Sequence, residues 1–332
     1  MPSGEIYMRQ IVTGIVLLII SASTLAAGPP VPMTKVEFNA LMKEISNWGR
    51  WGNDDELGTL NLITPAKRVA AAALVKNGIT VSLALELNKL KDELNANPFE
   101  HKLDVGEFGG HQVAWDKYSV EYHGYAHSHM DGLPHFAHKG FFYNGVPLNS
   151  AMPSGTERLG IHNAGINGVF TRGVLVDMPS HLGVKYLEPG VAITISDIES
   201  WEVANKVKIS SGDVLLVRTG RWVKVANDGQ WNMWKEAAGS HASLAAWLKA
   251  RDVAVIGSDG ANDVLPSGVE GLLNPLHELL LVGLGMPILD NLDLELLAKV
   301  VKQKKRPTFL FVGAPLRVQG GTGSPLNPLA VF

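Results

Sequence analysis

The sequence predicts one large α/β domain, and three observations carry that prediction. Short apolar runs alternate along the chain with helical patterns, and no repeat is visible. No long Gly/Ser or Pro linker divides the chain, so a single body is expected rather than two tethered ones. Of the 332 residues, 46% are hydrophobic and only 18% charged, which is material for a sizeable core and excludes wholesale disorder.

The elements follow in chain order. Ile11 to Ala27 is an uncharged apolar run, preceded by Arg9 and leaving through Ala26-Ala27-Gly28 into a proline-rich stretch. A basic start, an apolar middle and a small-residue exit form the secretory-signal pattern, so residues 1–28 are read as a signal peptide and 33–332 as the domain. The run is short of the ~20 residues of a membrane span, which is the competing reading. Pro65 to Lys76 reads as a helix, with Thr64 as N-cap, Pro65 at the first position and Asn77-Gly78 ending it. Ile79 to Leu87 reads as a strand. Gly173–Asp177, Asp213–Arg218 and Val253–Gly257 are near-continuous apolar runs, which suits strands buried on both faces. Ser243–Ala250 and Leu292–Val301 read as helices, the second ending in a solvated basic cluster, Lys302 to Arg306.

Composition closes several functional classes. Lys and Arg total 29 against 32 Asp and Glu, so nothing favours a nucleic-acid partner. With no cysteine, disulfides, thiolate zinc sites, iron–sulfur clusters and cysteine nucleophiles are all excluded. Any metal is then held by histidine and carboxylate. An exported protein without cysteine needs no oxidative folding, which suits a bacterial periplasm or secretion with no stable membrane span after cleavage.

Five of the eleven histidines fall between positions 123 and 138. Side chains alternate along a strand, so His123, Tyr125, His127, His129 and Asp131 are expected on one face. Imidazoles and a carboxylate crowded on one face suit a divalent cation, Zn²⁺ or Mn²⁺, better than a core. Gly132-Leu133-Pro134 breaks the strand and leaves His135 beyond the turn, placed to act on a substrate. A cation at this strand lowers the pKa of bound water to about 7, and His135, near the ordinary histidine value of about 6.5, is suited to move the proton. No Gly-x-Ser-x-Gly elbow offers another nucleophile. Gly320-Gly-Thr-Gly-Ser324 lacks a P-loop lysine and reads as a turn.

The pattern resembles the metal-dependent cyclase/hydrolase family that includes bacterial kynurenine formamidase and isatin hydrolase. Its hallmark is His-x-Gly-Thr-His-x-Asp-x-x-x-His, and His129, Asp131 and His135 match the last three marked positions. The metallo-β-lactamase pattern, His-x-His-x-Asp-His, fails at Gly132. The resemblance extends through Asp55–Pro65, Thr171–Asp177, Gly212–Gly220, Gly257–Asp259, Gly285–Leu292 and Gly320–Pro325. It implies a swivelling β/β/α domain with a mixed sheet, assembled as a homodimer or homotetramer. It also implies a small-molecule substrate, and His277 and Asp290 as further metal ligands. Two departures matter. The family's first histidine falls on Tyr125, with His127 as the expected substitute and His123 as the second choice. Where longer members carry glutamate, this chain has Asp290. Tyr125, Phe136 and Trp115 are expected to contact substrate, with Trp48, Trp51 and Phe141 as other aromatic candidates for the pocket wall. The activity implied is hydrolysis of an amide, formamide, lactam or ester. Ring closure at the same site and non-catalytic metal capture are the alternatives.

Overall fold

A computed structural model describes residues 28–332. Apart from Gly28, the segment read as a signal peptide lies outside the described residues. Among these, no helix is long and apolar enough to cross a membrane.

The strands relevant to the site are β1 (Thr80–Ser82), β2 (Glu100–Phe108), β3 (His111–Ser119), β4 (His129–Asp131), β5 (Val169–Asp177) and β6 (Val214–Arg218). They continue with β7 (Val255–Ser258), β8 (Ile288–Asp290), β9 (Thr308–Gly313), β10 (Gly323–Pro325) and β11 (Leu329–Val331). Nine of them form one sheet in the order β1-β11-β9-β5-β6-β7-β8-β4-β10. The centre, β5-β6-β7-β8, is parallel, and both flanks are antiparallel. This is the mixed α/β sheet expected.

The apolar runs become the central strands because every residue there meets a packed layer. Val174, Val176, Leu215 and Val217 face one core with Ile198, Trp201, Leu244 and Leu248. Leu175, Leu216 and Val255 face the other with Leu297, Phe309 and Phe311. The helices over these faces are α1 (Lys35–Ile45), α2 (Pro65–Ala72), α3 (Ile195–Asn205), α4 (Arg221–Asp228), α5 (Leu244–Arg251), α6 (Pro275–Glu278) and α7 (Glu295–Lys304). Thr64 caps α2 as expected, accepting from the Lys67 N–H. The basic cluster ends α7, with Lys305 in the left-handed region.

Two predicted strands are shorter than their sequence patterns. Ile79–Leu87 reduces to β1. The run from His123 is a turn until residue 128, and only His129–Asp131 is strand. β2 and β3 form a separate hairpin with almost every side chain exposed.

Candidate metal centre

β4 lies between β8 and β10, both antiparallel to it, with His129 opposite Asp290 and Pro325. Alternation then works over this short span. Met130 faces the core, fully buried, while His129 and Asp131 share the other face. The Gly132 N–H donates to the Thr322 carbonyl at 2.7 Å, and the turn that follows brings His135 back over the strand end.

Two groups of donor atoms meet at Asp131. His123, His129 and Asp131 form one, and Asp131, His277 and Asp290 the other, each with its atoms within 4.8 Å of one another. On one side of the carboxylate, Asp131 Oδ1 lies 2.8 Å from His123 Nδ1, 3.3 Å from His129 Nε2 and 3.9 Å from His135 Nε2. On the other, Asp131 Oδ2 lies 3.4 Å from His277 Nε2, which is 3.3 Å from Asp290 Oδ2. His129 donates from Nδ1 to the His127 carbonyl at 2.8 Å, which turns Nε2 toward Asp131. His277 donates from Nδ1 to Asp263 at 2.5 Å, and Asp263 also accepts the Leu276 and His277 N–H groups at the start of α6. Asn262 donates to Asp290 Oδ1 at 2.7 Å.

Charge within the centre alternates. Burial alone disfavours ionised Asp131, but His129, His135 and His123 overcome it and hold the carboxyl well below the usual range. Burial also opposes protonation of His129 and His277. The neighbouring carboxylates win there, Asp131 chiefly for His129 and Asp290 first for His277, and both pKa values rise. Positive charge is therefore favoured between the carboxylates. Asp131 Oδ1 is fully buried yet accepts no hydrogen bond of sound geometry. An imidazole and carboxylate set around such an oxygen fits a divalent cation, and no thiolate is needed.

The expected residues separate as follows. His129, Asp131, His277 and Asp290 come together, with His135 beside them. His127 does not join either group. Because the chain turns at 123–127, its ring leaves the site, buried and without a partner at either nitrogen among the described residues, and only its carbonyl serves the site. His123, the second choice, is the histidine in the cluster, its ring stacked on that of His135 at 3.7 Å between centroids. His135 departs from the ordinary histidine pKa: burial pushes it down to about 4, against the pull of Asp131. Tyr125 and Phe136 line a cavity of about 230 Å³ at the cluster, with Trp234 and Ala261. Trp115 does not, since β3 carries it out on the hairpin, where its ring lies over Gly106. Trp48 is turned away, donating to the Val282 carbonyl, and Phe141 is exposed. Asp263, Asn262 and Trp234 went unread in the sequence. No spacing rule links Asp263 to a histidine fourteen residues on.

An α/β domain with histidine and carboxylate donors converging at a strand end defines a class of cysteine-free metal-site protein. The family model described as putative cyclase matches residues 63–262, and the chain belongs to that family. A crystal structure described as a novel cyclase is 30% identical, with 88% of this chain and 99% of that chain covered and a TM-score of 0.79. Isatin hydrolase A from Ralstonia solanacearum shares the fold at 20% identity and TM-score 0.54, over 81% of this chain and 98% of its own. That from Labrenzia aggregata, bound to benzyl benzoate, does so at 19% and 0.53, over 80% and 98%. No curated protein sequence matches the chain.

Proposed function

We propose that this protein is a metal-dependent hydrolase that opens a C–N bond of an amide, formamide or lactam, or an ester bond, in a small aromatic substrate. The observation that carries the proposal is the pair of donor groups sharing Asp131, beside a neutral His135, at the wall of a small aromatic-lined cavity. His123, His129, Asp131, His277 and Asp290 would hold Zn²⁺ or Mn²⁺, and their division into two groups leaves room for one ion or two. Such a cation lowers the pKa of water and polarises a carbonyl. The chain's own residues do the rest. His135, uncharged at neutral pH, takes a proton from water as the bond to the carbonyl carbon forms. It returns that proton to the nitrogen or oxygen as the scissile bond breaks. Tyr125, Phe136 and Trp234 offer faces to a ring. About 230 Å³ lies below the ~300–1,000 Å³ of drug-sized sites and suits a substrate of one or two rings. The isatin hydrolases that share this fold are named for a lactam, which agrees with this reading.

Metal analysis of the purified protein, with a screen of formamides, lactams and esters, tests the reading. His129→Ala and Asp131→Ala should lose metal and turnover together. His135→Ala should keep metal and lose about 10²–10⁴-fold in rate. Full metal and full activity in all three variants would end the proposal, and products appearing only from linear precursors would favour ring closure.

Export and self-association belong to the same proposal. A two-stranded hairpin alone is marginal in water. Leu103, Val105, Phe108 and Tyr118 are nevertheless exposed on β2 and β3, which supports cover by a second copy. Light scattering is expected to give a dimer or tetramer mass, and a monomer at micromolar concentration removes that part. N-terminal sequencing of secreted protein should begin near Gly28.

A further inference from the structure

Arg221, the first residue of α4, is 3% exposed, and among the described residues its guanidinium makes no ion pair. Burying a charge without a counter-charge is costly, so its contacts need a reason. Arg218, three residues earlier and also buried, is paired with both Asp177 and Glu295. Arg221 instead gives its two amino groups to neutral acceptors, and its buried Nε–H has no partner among the described residues. One amino group donates to the Tyr125 carbonyl at 2.7 Å, the other to Asn291 Oδ1 at 2.6 Å and to the Asp259 carbonyl at 3.3 Å. The guanidinium lies 4.1 Å from the Trp222 ring centroid and 5.8 Å from that of Tyr125. The Asp259 carboxylate is already taken by the Thr219, Gly220 and Arg221 N–H groups that open α4. Burial pushes the Arg221 pKa down to about 10 in spite of Asp259, the strongest opposing charge.

Asn291 extends the same grip. Its amide donates to the Gly124 carbonyl at 2.6 Å and the His127 carbonyl at 3.1 Å, while its own carbonyl accepts from Ser128 Oγ at 2.6 Å. The carbonyls of Gly124, Tyr125 and His127 are thus held by two side chains in a stretch with no regular hydrogen-bond ladder. That stretch presents His123 to Asp131, places Tyr125 in the cavity wall, and supplies the carbonyl that orients His129. Asn291 follows Asp290 in the chain, so the network joins the two donor groups. Taking the metal-centre reading above as its basis, we infer that Arg221 is a positioning residue, which with Asn291 sets the 123–127 turn so that the two donor groups meet at Asp131.

Arg221→Lys tests this. A single ammonium lacks the planar fork that reaches Tyr125 and Asn291 together. Mn²⁺ titration of the full protein, after chelator stripping, is expected to show about 10–100-fold weaker binding, the range for groups that orient ligands. Amide exchange across 123–128 should rise in the same variant. Arg218→Lys is the control: it should lower the melting temperature and leave both readouts unchanged. Wild-type Mn²⁺ affinity with wild-type exchange in Arg221→Lys overturns the inference, as does an equal loss in the control. If Arg221→Lys does not fold, Asn291→Ser carries the same test with the same overturning result. A wild-type protein that binds neither Mn²⁺ nor Zn²⁺ would instead defeat the metal-centre reading, and the exchange comparison would still decide whether Arg221 holds the turn.

Discussion

Asp263 touches none of the shared Asp131 oxygens, yet it decides how His277 faces them. Its carboxylate binds the imidazole Nδ1–H and the two N–H groups that begin α6, so ring and helix are set by one side chain. A carboxylate behind a ligating histidine fixes the tautomer and raises the basicity of the outward nitrogen. Asp263→Asn keeps an oxygen for the helix but removes the charge from the ring. Metal affinity, measured by competition with a chromophoric chelator, is expected to fall about 10–100-fold. Unchanged affinity would reduce Asp263 to a helix cap. His135 teaches the complementary lesson. Its place past the Gly132 turn was legible, but its acidity was not, because the burial that drives it to about 4 depends on how the chain folds around the ring, with His123 stacked on it.

The central strands were legible because burial on both faces leaves a local mark in the sequence, a continuous apolar run. The strand from His123 was misread because alternation is also what an irregular turn with polar side chains can show. Ahead of β4, Asn291 binds the carbonyls of Gly124 and His127, a contact across more than 160 positions that no local pattern announces. His277 and Asp290 came from family resemblance: the β4–β8 register brings Asp290 to the cluster and Asp263 turns His277 toward it, and no local pattern encodes either. Packing between strands carries its own prediction. Gly173 on β5 pairs with Phe309 on β9, and a Cβ at Gly173 would stand 2.3 Å from the Phe309 ring. Phe309 is fully buried and has no room to yield. Gly173→Ala is therefore expected to cost about 1–3 kcal/mol through overpacking. The urea midpoint should fall with the slope unchanged, and Phe309→Leu in the same chain should restore part of the loss. An unchanged midpoint in the single variant would show that the sheet can part there.

At the scale of the whole molecule, the chain before α1 is tied to three separate segments of the domain. The Ala192 N–H donates to the Gly28 carbonyl at 2.8 Å, the Met33 N–H to the Gly268 carbonyl at 2.9 Å, and His241 Nε2 to the Val31 carbonyl at 2.9 Å. With Nε2 as donor, His241 Nδ1 must accept, and it does so from the Ser243 hydroxyl at 2.8 Å and the Ser243 N–H at 3.2 Å. A second proton on the ring would set a donor against that N–H and force the hydroxyl to reverse. Burial lowers the His241 pKa below the ordinary 6.5, outweighing the Val31 carbonyl and the more distant Asp263, which both favour the charged form. The sign follows from which state binds the proton first. As pH falls through about 6.5 the unfolded chain takes it up while the folded chain still resists, so stability drops on the acid side and is fully present above that pH. Thermal melts between pH 7.5 and 5 should show the melting temperature of His241→Gln rising relative to wild type as pH falls, since glutamine can still donate to Val31 but does not titrate. A constant difference between the two proteins across that range would assign the acid sensitivity to other groups and leave the tie at Val31 uncharged throughout.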